Sequence, residues 1–120
     1  MPEIKDKKYG KTLFFIDGNE IKDKKYGTTL FYIDGSEIKE KSKYGTVKFY
    51  INGNEVREKS KHGNVRYVID KDEVKGKSKY GSLRYYIDGS EIKDKKYGNV
   101  KYYIDGSLTK DQLYGFLSII

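Results

Sequence analysis

The sequence predicts an all-β protein, an antiparallel β-meander of about twelve strands that ends in a short C-terminal capping helix. The 120-residue chain contains 13 Tyr and 13 Gly but no Ala, a composition that favours strands and turns over helices. A unit of 17–18 residues recurs six times, and each copy carries two glycine turn signals between strand-like segments. Six such hairpins give about twelve strands.

The repeats follow one another without a Pro- or Ser-rich linker, so we expect a single domain. Three copies contain one additional residue, which lies just before the Tyr-Gly pair, or before His-Gly in the fourth copy. The repeats cover residues 3–19, 20–36, 37–54, 55–72, 73–90 and 91–107, and the C-terminal cap covers residues 108–120.

The two turn signals predict two kinds of hairpin loop. Asp-Gly pairs such as Asp17–Gly18 are typical of the centre of a two-residue type I′ turn. In the Tyr-Gly loops we expect the glycine to take the left-handed position of a three-residue loop with a bulge. The fourth copy has Asp70–Lys71 in place of Asp-Gly, which predicts a strained or longer turn.

These loop lengths predict the strand register. The loop at Asp17–Gly18 would pair Phe14 with Ile21. The Tyr-Gly loops would pair Ile4 with Phe14 and, across a four-residue loop in the third copy, Ile38 with Phe49.

Alternation along these strands predicts one apolar face and one solvated, aromatic face. Because one helix is too small to cover so large a sheet, three outcomes are open: a coiled or closed sheet, a face-to-face homodimer, or a partner on the face. The predicted apolar face carries Ile4, Phe14, Ile16, Ile21, Val47, Phe49, Ile51, Val56, Val65, Tyr67, Ile69, Leu83, Tyr85, Ile87, Val100, Tyr102 and Ile104.

The C-terminal segment changes pattern. Leu113, Phe116, Leu117 and Ile120 have the spacing of one helical stripe, and Thr109 precedes Gln112 by the three residues of a capping box. The alternative is a degenerate seventh repeat. We expect the helix, which would cover the last apolar strands.

Composition argues against catalysis. The chain has no Cys and one His, and it contains no phosphate-binding glycine motif. We therefore predict no catalytic, metal or cofactor site, and regard His62 as a turn variant. No apolar run is long enough for a signal peptide or a membrane span, which predicts a cytoplasmic protein that does not bind membranes.

The net charge of +7 raises the question of nucleic acid. Lysine, arginine and tyrosine recur at equivalent positions of the β-strands. Cations beside aromatic rings on which bases can stack are typical of proteins that bind single-stranded nucleic acid. Glutamates lie across the strands from the same positions, however, which favours a solvated face of mixed charge. The candidate binding face comprises Tyr32, Lys48, Tyr50, Arg66, Arg84, Tyr86, Lys101 and Tyr103.

The unit YGxVxYYIDGxE resembles the tandem β-hairpin repeats called MORN and MORN-like, and the hairpin repeats of phage and giant-virus proteins, although this repeat is shorter than that of MORN proteins. The resemblance implies a non-enzymatic protein-binding repeat protein. In its most specific form it implies a phage or mobile-element inhibitor, acting in the host cytoplasm on a nucleic-acid-handling enzyme such as a CRISPR effector. Single-stranded nucleic-acid binding is the second hypothesis. A third rests on Tyr85–Tyr86–Ile87–Asp88–Gly89, which is similar to cell-wall choline- or glucan-binding repeats, but those repeats depend on Trp and this chain has none.

Overall fold

A computed structural model, which describes residues 2–120, contains twelve strands and one helix and confirms the predicted all-β meander. The element order follows the sequence repeats, two strands to each copy. The elements are β1 (Glu3–Lys5), β2 (Thr12–Asp17), β3 (Glu20–Lys22), β4 (Thr29–Asp34), β5 (Glu37–Glu40), β6 (Val47–Asn52), β7 (Glu55–Glu58), β8 (Val65–Asp70), β9 (Glu73–Gly76), β10 (Leu83–Asp88), β11 (Glu91–Lys93), β12 (Val100–Asp105) and α1 (Lys110–Ile119).

The meander closes into a barrel, which is the first of the three outcomes. Every strand pairs antiparallel with the next, and β1 pairs with β12 through Ile4 and Ile104. The Cα atoms extend over 39 × 37 × 17 Å. A closed ring of twelve strands spaced about 4.8 Å apart is about 18 Å across, so the two larger extents include the loops and turns that project from the barrel.

The Asp-Gly turns differ from the prediction in register. Asp17 pairs with Glu20 and Ile16 with Ile21, so the loop is Gly18–Asn19 and the predicted Phe14–Ile21 pair is wrong. Gly18 has φ +58°, whereas Asn19 does not have a positive φ, which is the pattern of a type II′ rather than a type I′ turn. The observed pairing is shifted by two residues from the predicted one. Because side chains alternate with a period of two along a strand, each of them stays on the face of the sheet predicted for it.

The Tyr-Gly loops confirm the predicted pairs of Ile4 with Phe14 and Ile38 with Phe49. The expected left-handed glycine is wrong: Lys41 has the positive φ in the third copy, and Gly45 does not. Gly45 is needed for space instead, because a Cβ there would overlap the main-chain oxygen of Glu40.

A bulge in each long strand reverses the predicted alternation near the loops. Lys39 pairs with Val47 directly after Ile38 pairs with Phe49, so Lys48 is the additional residue. Four apolar residues therefore share the outer side with paired cations, contrary to the predicted apolar face: Val47, Val65, Leu83 and Val100. Of the bulge residues at the position of Lys48, Arg66 lies over the inner rings of Phe49 and Tyr67, and Lys48 itself pairs with Glu40.

The inner face of the barrel and helix α1 form the hydrophobic core. The predicted capping box is confirmed: the Thr109 side chain accepts a hydrogen bond from the amide of Gln112, and the Gln112 side chain accepts one from the amide of Thr109. The fully buried members of the core are Ile4, Ile16, Ile21, Ile38, Val56, Val74, Ile92, Phe116 and Leu117.

The helix lies inside the ring rather than over its last strands, which corrects the predicted position. Phe116 packs edge-on against Phe14 of β2 and Tyr102 of β12. The hydroxyl of Tyr67 on β8 donates to the main-chain oxygen of Ile120 at 2.8 Å. Contacts with strands on opposite sides of a closed barrel place α1 in its lumen. The apolar face is therefore enclosed and is not available as a dimer surface.

Lys71 confirms the strained turn predicted for the fourth copy. It occupies the position of Gly18 with φ +58°. Because an L side chain is strained in this region, Lys71→Gly is expected to raise the free energy of unfolding by about 1 kcal/mol in urea denaturation. The converse change, Gly89→Lys in the fifth copy, should lower it by a similar amount, since Gly89 has φ +61° and no atom within 4 Å of its would-be Cβ. Equal stability of Lys71→Gly and the wild type would contradict the strain.

Candidate binding rim

The six Tyr-Gly or His-Gly loops lie at one end of the barrel, because successive connections of a meander alternate between the two ends. We call this end the loop rim, residues 6–11, 23–28, 41–46, 59–64, 77–82 and 94–99. The opposite end carries the Asp-Gly turns. The repeat thus places six similar loops in a ring.

Each loop presents an aromatic or imidazole ring to solvent. In five loops this is a tyrosine whose exposure is 90–91%. His62 is the exposed residue at the same place in the fourth loop. Tyrosines so far from any packing contact do not stabilise the barrel, which makes them candidates for a contact surface: Tyr9, Tyr26, Tyr44, Tyr80 and Tyr97.

Two exposed lysines precede the ring in every loop. Within the described part of the chain, none of these twelve forms an ion pair within 4.0 Å. The acidic side chains in the shorter loops bind the main chain: Asp6, for example, accepts from the amide of Lys11 at 2.9 Å. The loop lysines are Lys7, Lys8, Lys24, Lys25, Lys41, Lys43, Lys59, Lys61, Lys77, Lys79, Lys95 and Lys96.

The other end of the barrel is acidic and largely neutralised by its own cations. Lys39 lies 2.8 Å from Asp34, and Lys93 lies 2.9 Å from Asp88. The hydrogen bond from Lys39 lowers the pKa of Asp34 and raises the pKa of Lys39 itself. Positive charge without partners is therefore concentrated at the loop rim. The even mixture of charge that the sequence predicts does not hold there.

The structure does not bring the predicted binding face together on one surface. Its tyrosines are half-buried on the outer side of the barrel, where Tyr32, for example, pairs with Glu20. Its cations are bulge residues, and Arg66 among them turns inward: its guanidinium lies 4.9 Å from the ring centre of Tyr67. The outer tyrosines are Tyr32, Tyr50, Tyr86 and Tyr103, and the bulge cations are Lys48, Arg66, Arg84 and Lys101.

Sequence reasoning missed the loop tyrosines because it treated Tyr-Gly only as a turn signal. The available signal was the recurrence of two lysines and a tyrosine at the centre of a loop. A turn needs the glycine but has no need of an exposed aromatic ring.

Comparisons with known protein families, with curated proteins and with solved structures found no match to this chain. Residues 2–120 contain no cluster of three or more His, Asp or Glu side chains suited to a metal ion. The described helix is too short and too polar to cross a membrane.

Proposed function

We propose that this protein is a non-enzymatic binding protein and that the loop rim is the surface that contacts an acidic protein partner. One observation carries the proposal: five tyrosines, each about 90% exposed, stand in a ring between lysines that have no ion-pair partner. Tyrosine is enriched at the energetic centres of protein interfaces, because it combines a large rigid contact area with a polar hydroxyl.

The size of the rim fits such a contact. The two larger extents of the molecule, 39 and 37 Å, bound an area of roughly 1,100 Å², above the roughly 800 Å² that each partner buries in a standard interface. The twelve loop lysines would attract an acidic surface and accelerate association. The resemblance to phage-type repeats extends the proposal to a mobile-element inhibitor of a host nucleic-acid-handling enzyme.

Three loop lysines lie near one face of the tyrosine that follows them. The ammonium groups of Lys8, Lys25 and Lys96 lie 5.4, 5.5 and 5.6 Å from the ring centres of these tyrosines. A base would have to displace the ammonium group to stack on that face, whereas the other face of each exposed ring is open to a protein side chain or a base.

A charge reversal tests the rim. The triple variant Lys24→Glu, Lys43→Glu, Lys79→Glu should lose the stoichiometric protein that the wild type retains from its native cells at low salt. The control triple Lys71→Glu, Lys101→Glu, Lys110→Glu changes exposed lysines outside the six loops and has the same net charge. It should retain the protein. Equal retention by both variants would contradict a partner at the rim.

Single-stranded nucleic acid is a second candidate, favoured by the same unpaired lysines beside exposed tyrosines. If this candidate is correct, fluorescence anisotropy of a labelled 20-nucleotide RNA should show binding whose affinity falls steeply as the salt concentration rises. The triple variant Lys24→Glu, Lys43→Glu, Lys79→Glu should lose this binding, and the control triple variant should keep it. Absence of binding at 50 mM salt would eliminate this candidate.

A further inference from the structure

The fifth repeat departs from the others at one position just inside the loop rim. The last residue before the loop is Glu40 in the third copy and Glu58 in the fourth, but Gly76 in the fifth. These residues lie on the inner side of the barrel, since Glu40 pairs with Phe31 and Gly76 with Tyr67. Gly76 does not have a positive φ, so the turn does not demand glycine there.

The side chain that lies over this glycine, Arg84, and the next residue along the chain, Lys77, line a cavity of about 850 Å³. The rings of Tyr67 and Tyr85 and the main chain of Ile120 line its inner part, and Arg66, Arg84 and Lys77 line it with positive charge. Glu58 is the one acidic side chain of the lining, so the side chains of the lining carry a net charge of about two positive units. Its volume lies within the range of small-molecule sites.

Two of these cations have groups left free for a ligand. In the third copy the bulge cation Lys48 pairs with Glu40 at 3.5 Å. In the fifth copy glycine takes the place of that glutamate, and within residues 2–120 Arg84 has no ion pair. A Cβ added to Gly76 would lie 3.1 Å from Nε of Arg84, so this side chain lies directly over the glycine.

Arg66 supplies the second free group. Its guanidinium lies between the rings of Phe49 and Tyr67, with its carbon 5.2 and 4.9 Å from their centres, and one terminal nitrogen donates to the main-chain oxygen of Ile120 at 3.4 Å. Its Nε is buried and has no hydrogen-bond partner among the described residues. A buried donor without an acceptor is uncommon and costly, and an anion in the cavity would satisfy it once a shift of the Arg66 side chain exposes this nitrogen.

We propose that this cavity is a binding site for a small aromatic phosphate monoester. A phosphate monoester carries a charge between about −1.5 and −2 at pH 7, which matches the excess positive charge of the lining. Arginine side chains bind phosphate oxygens through paired N–H groups, and the rings of Tyr67 and Tyr85 provide an apolar wall for the aromatic part. The site borders the loop rim at Asn64 and Lys77, but its arginines and tyrosines lie outside the six loops, so binding of a small ligand can be tested separately from the proposed contact at the rim.

Restoring the repeat pattern should close the site. In Gly76→Glu the new side chain would contact Arg84 and is expected to pair with it, as Glu40 pairs with Lys48, which removes the free guanidinium from the cavity. Isothermal titration with phenyl phosphate should show binding to the wild type and an affinity at least about tenfold lower for Gly76→Glu. Thermal unfolding should show that this variant is at least as stable as the wild type, because glycine weakens a strand interior.

Matched variants and ligands separate this site from general attraction to a basic protein. Arg84→Gln should weaken binding about tenfold, whereas Lys101→Gln, at the same bulge position of the sixth repeat, should leave it within about twofold. Phenyl sulfate, which carries one negative charge, should bind more weakly than phenyl phosphate. Equal affinity of Gly76→Glu and the wild type, or no binding of phenyl phosphate at 10 mM to the wild type, would overturn the proposal.

Discussion

Phe116→Ala is expected to lower the free energy of unfolding by about 3–5 kcal/mol, which is the usual effect of truncating a buried phenylalanine. Phe116 has no exposed surface. Its ring meets those of Phe14 and Tyr102 edge-on, with centres 5.5 and 5.4 Å apart. Because a domain of this size has a total stability of about 5–15 kcal/mol, the loss would be a large fraction of it.

The position of Phe116 makes the effect local as well as large. Phe14 is on β2 and Tyr102 is on β12, the two strands on either side of β1. One side chain thus connects the strands at the point where the two ends of the sheet join. We expect the amides of β1 to lose protection from hydrogen exchange first in Phe116→Ala, before those of β6 and β7.

Urea denaturation followed by circular dichroism measures the free energy of unfolding in this test. Phe116→Leu is the control, because it keeps most of the buried volume and removes only the aromatic contacts, and it should cost no more than about 1.5 kcal/mol. A loss below 1 kcal/mol in Phe116→Ala would mean that the helix does not hold the barrel together.

Outside the bulges, the sequence was sufficient to predict which face of the sheet each side chain occupies. Side chains alternate with a period of two along a strand, so an error of two residues in the predicted pairing does not move a side chain to the other face. For this reason Ile16 and Ile21 are both in the core although their predicted partners were wrong. The bulges were not predictable in this way. Nothing in the residue types distinguishes Val47 on the outer side from Phe49 on the inner side, so the predicted placement of Lys48 and its equivalents was also wrong.

The position of the helix and of the candidate site depended on closure, which local sequence does not encode. The apolar stripe and the capping box of α1 predicted that a helix forms, but not that it lies inside a ring. Closure also brings six loops to one end, and only then do the lysines separate from the glutamates. A charge pattern that alternates along the chain can therefore become polarised in space.

Gly115→Leu is the second change expected to have a large effect, a loss of about 3 kcal/mol in the free energy of unfolding. Glycine inside a helix is about 1 kcal/mol less favourable than alanine, so its presence in α1 needs a reason. The reason is space: a Cβ on Gly115 would lie 2.9 and 3.0 Å from Cδ1 and Cγ1 of Ile33, and 3.3 Å from Cδ1 of Ile38. A leucine would push the helix away from β4 and β5.

A double-mutant cycle tests this explanation more closely than the single change. Gly115→Ala gains helix propensity and crowds Ile33, so its net effect should be small. Ile33→Val removes Cδ1, the atom nearest to the new Cβ. In the double variant the new Cβ no longer meets Cδ1 of Ile33. The free energy of unfolding of the double variant, measured in urea, should therefore exceed the value expected from adding the two single effects by about 0.5–1 kcal/mol. Strict additivity would show that the close approach to Ile33 is not what requires glycine in this helix.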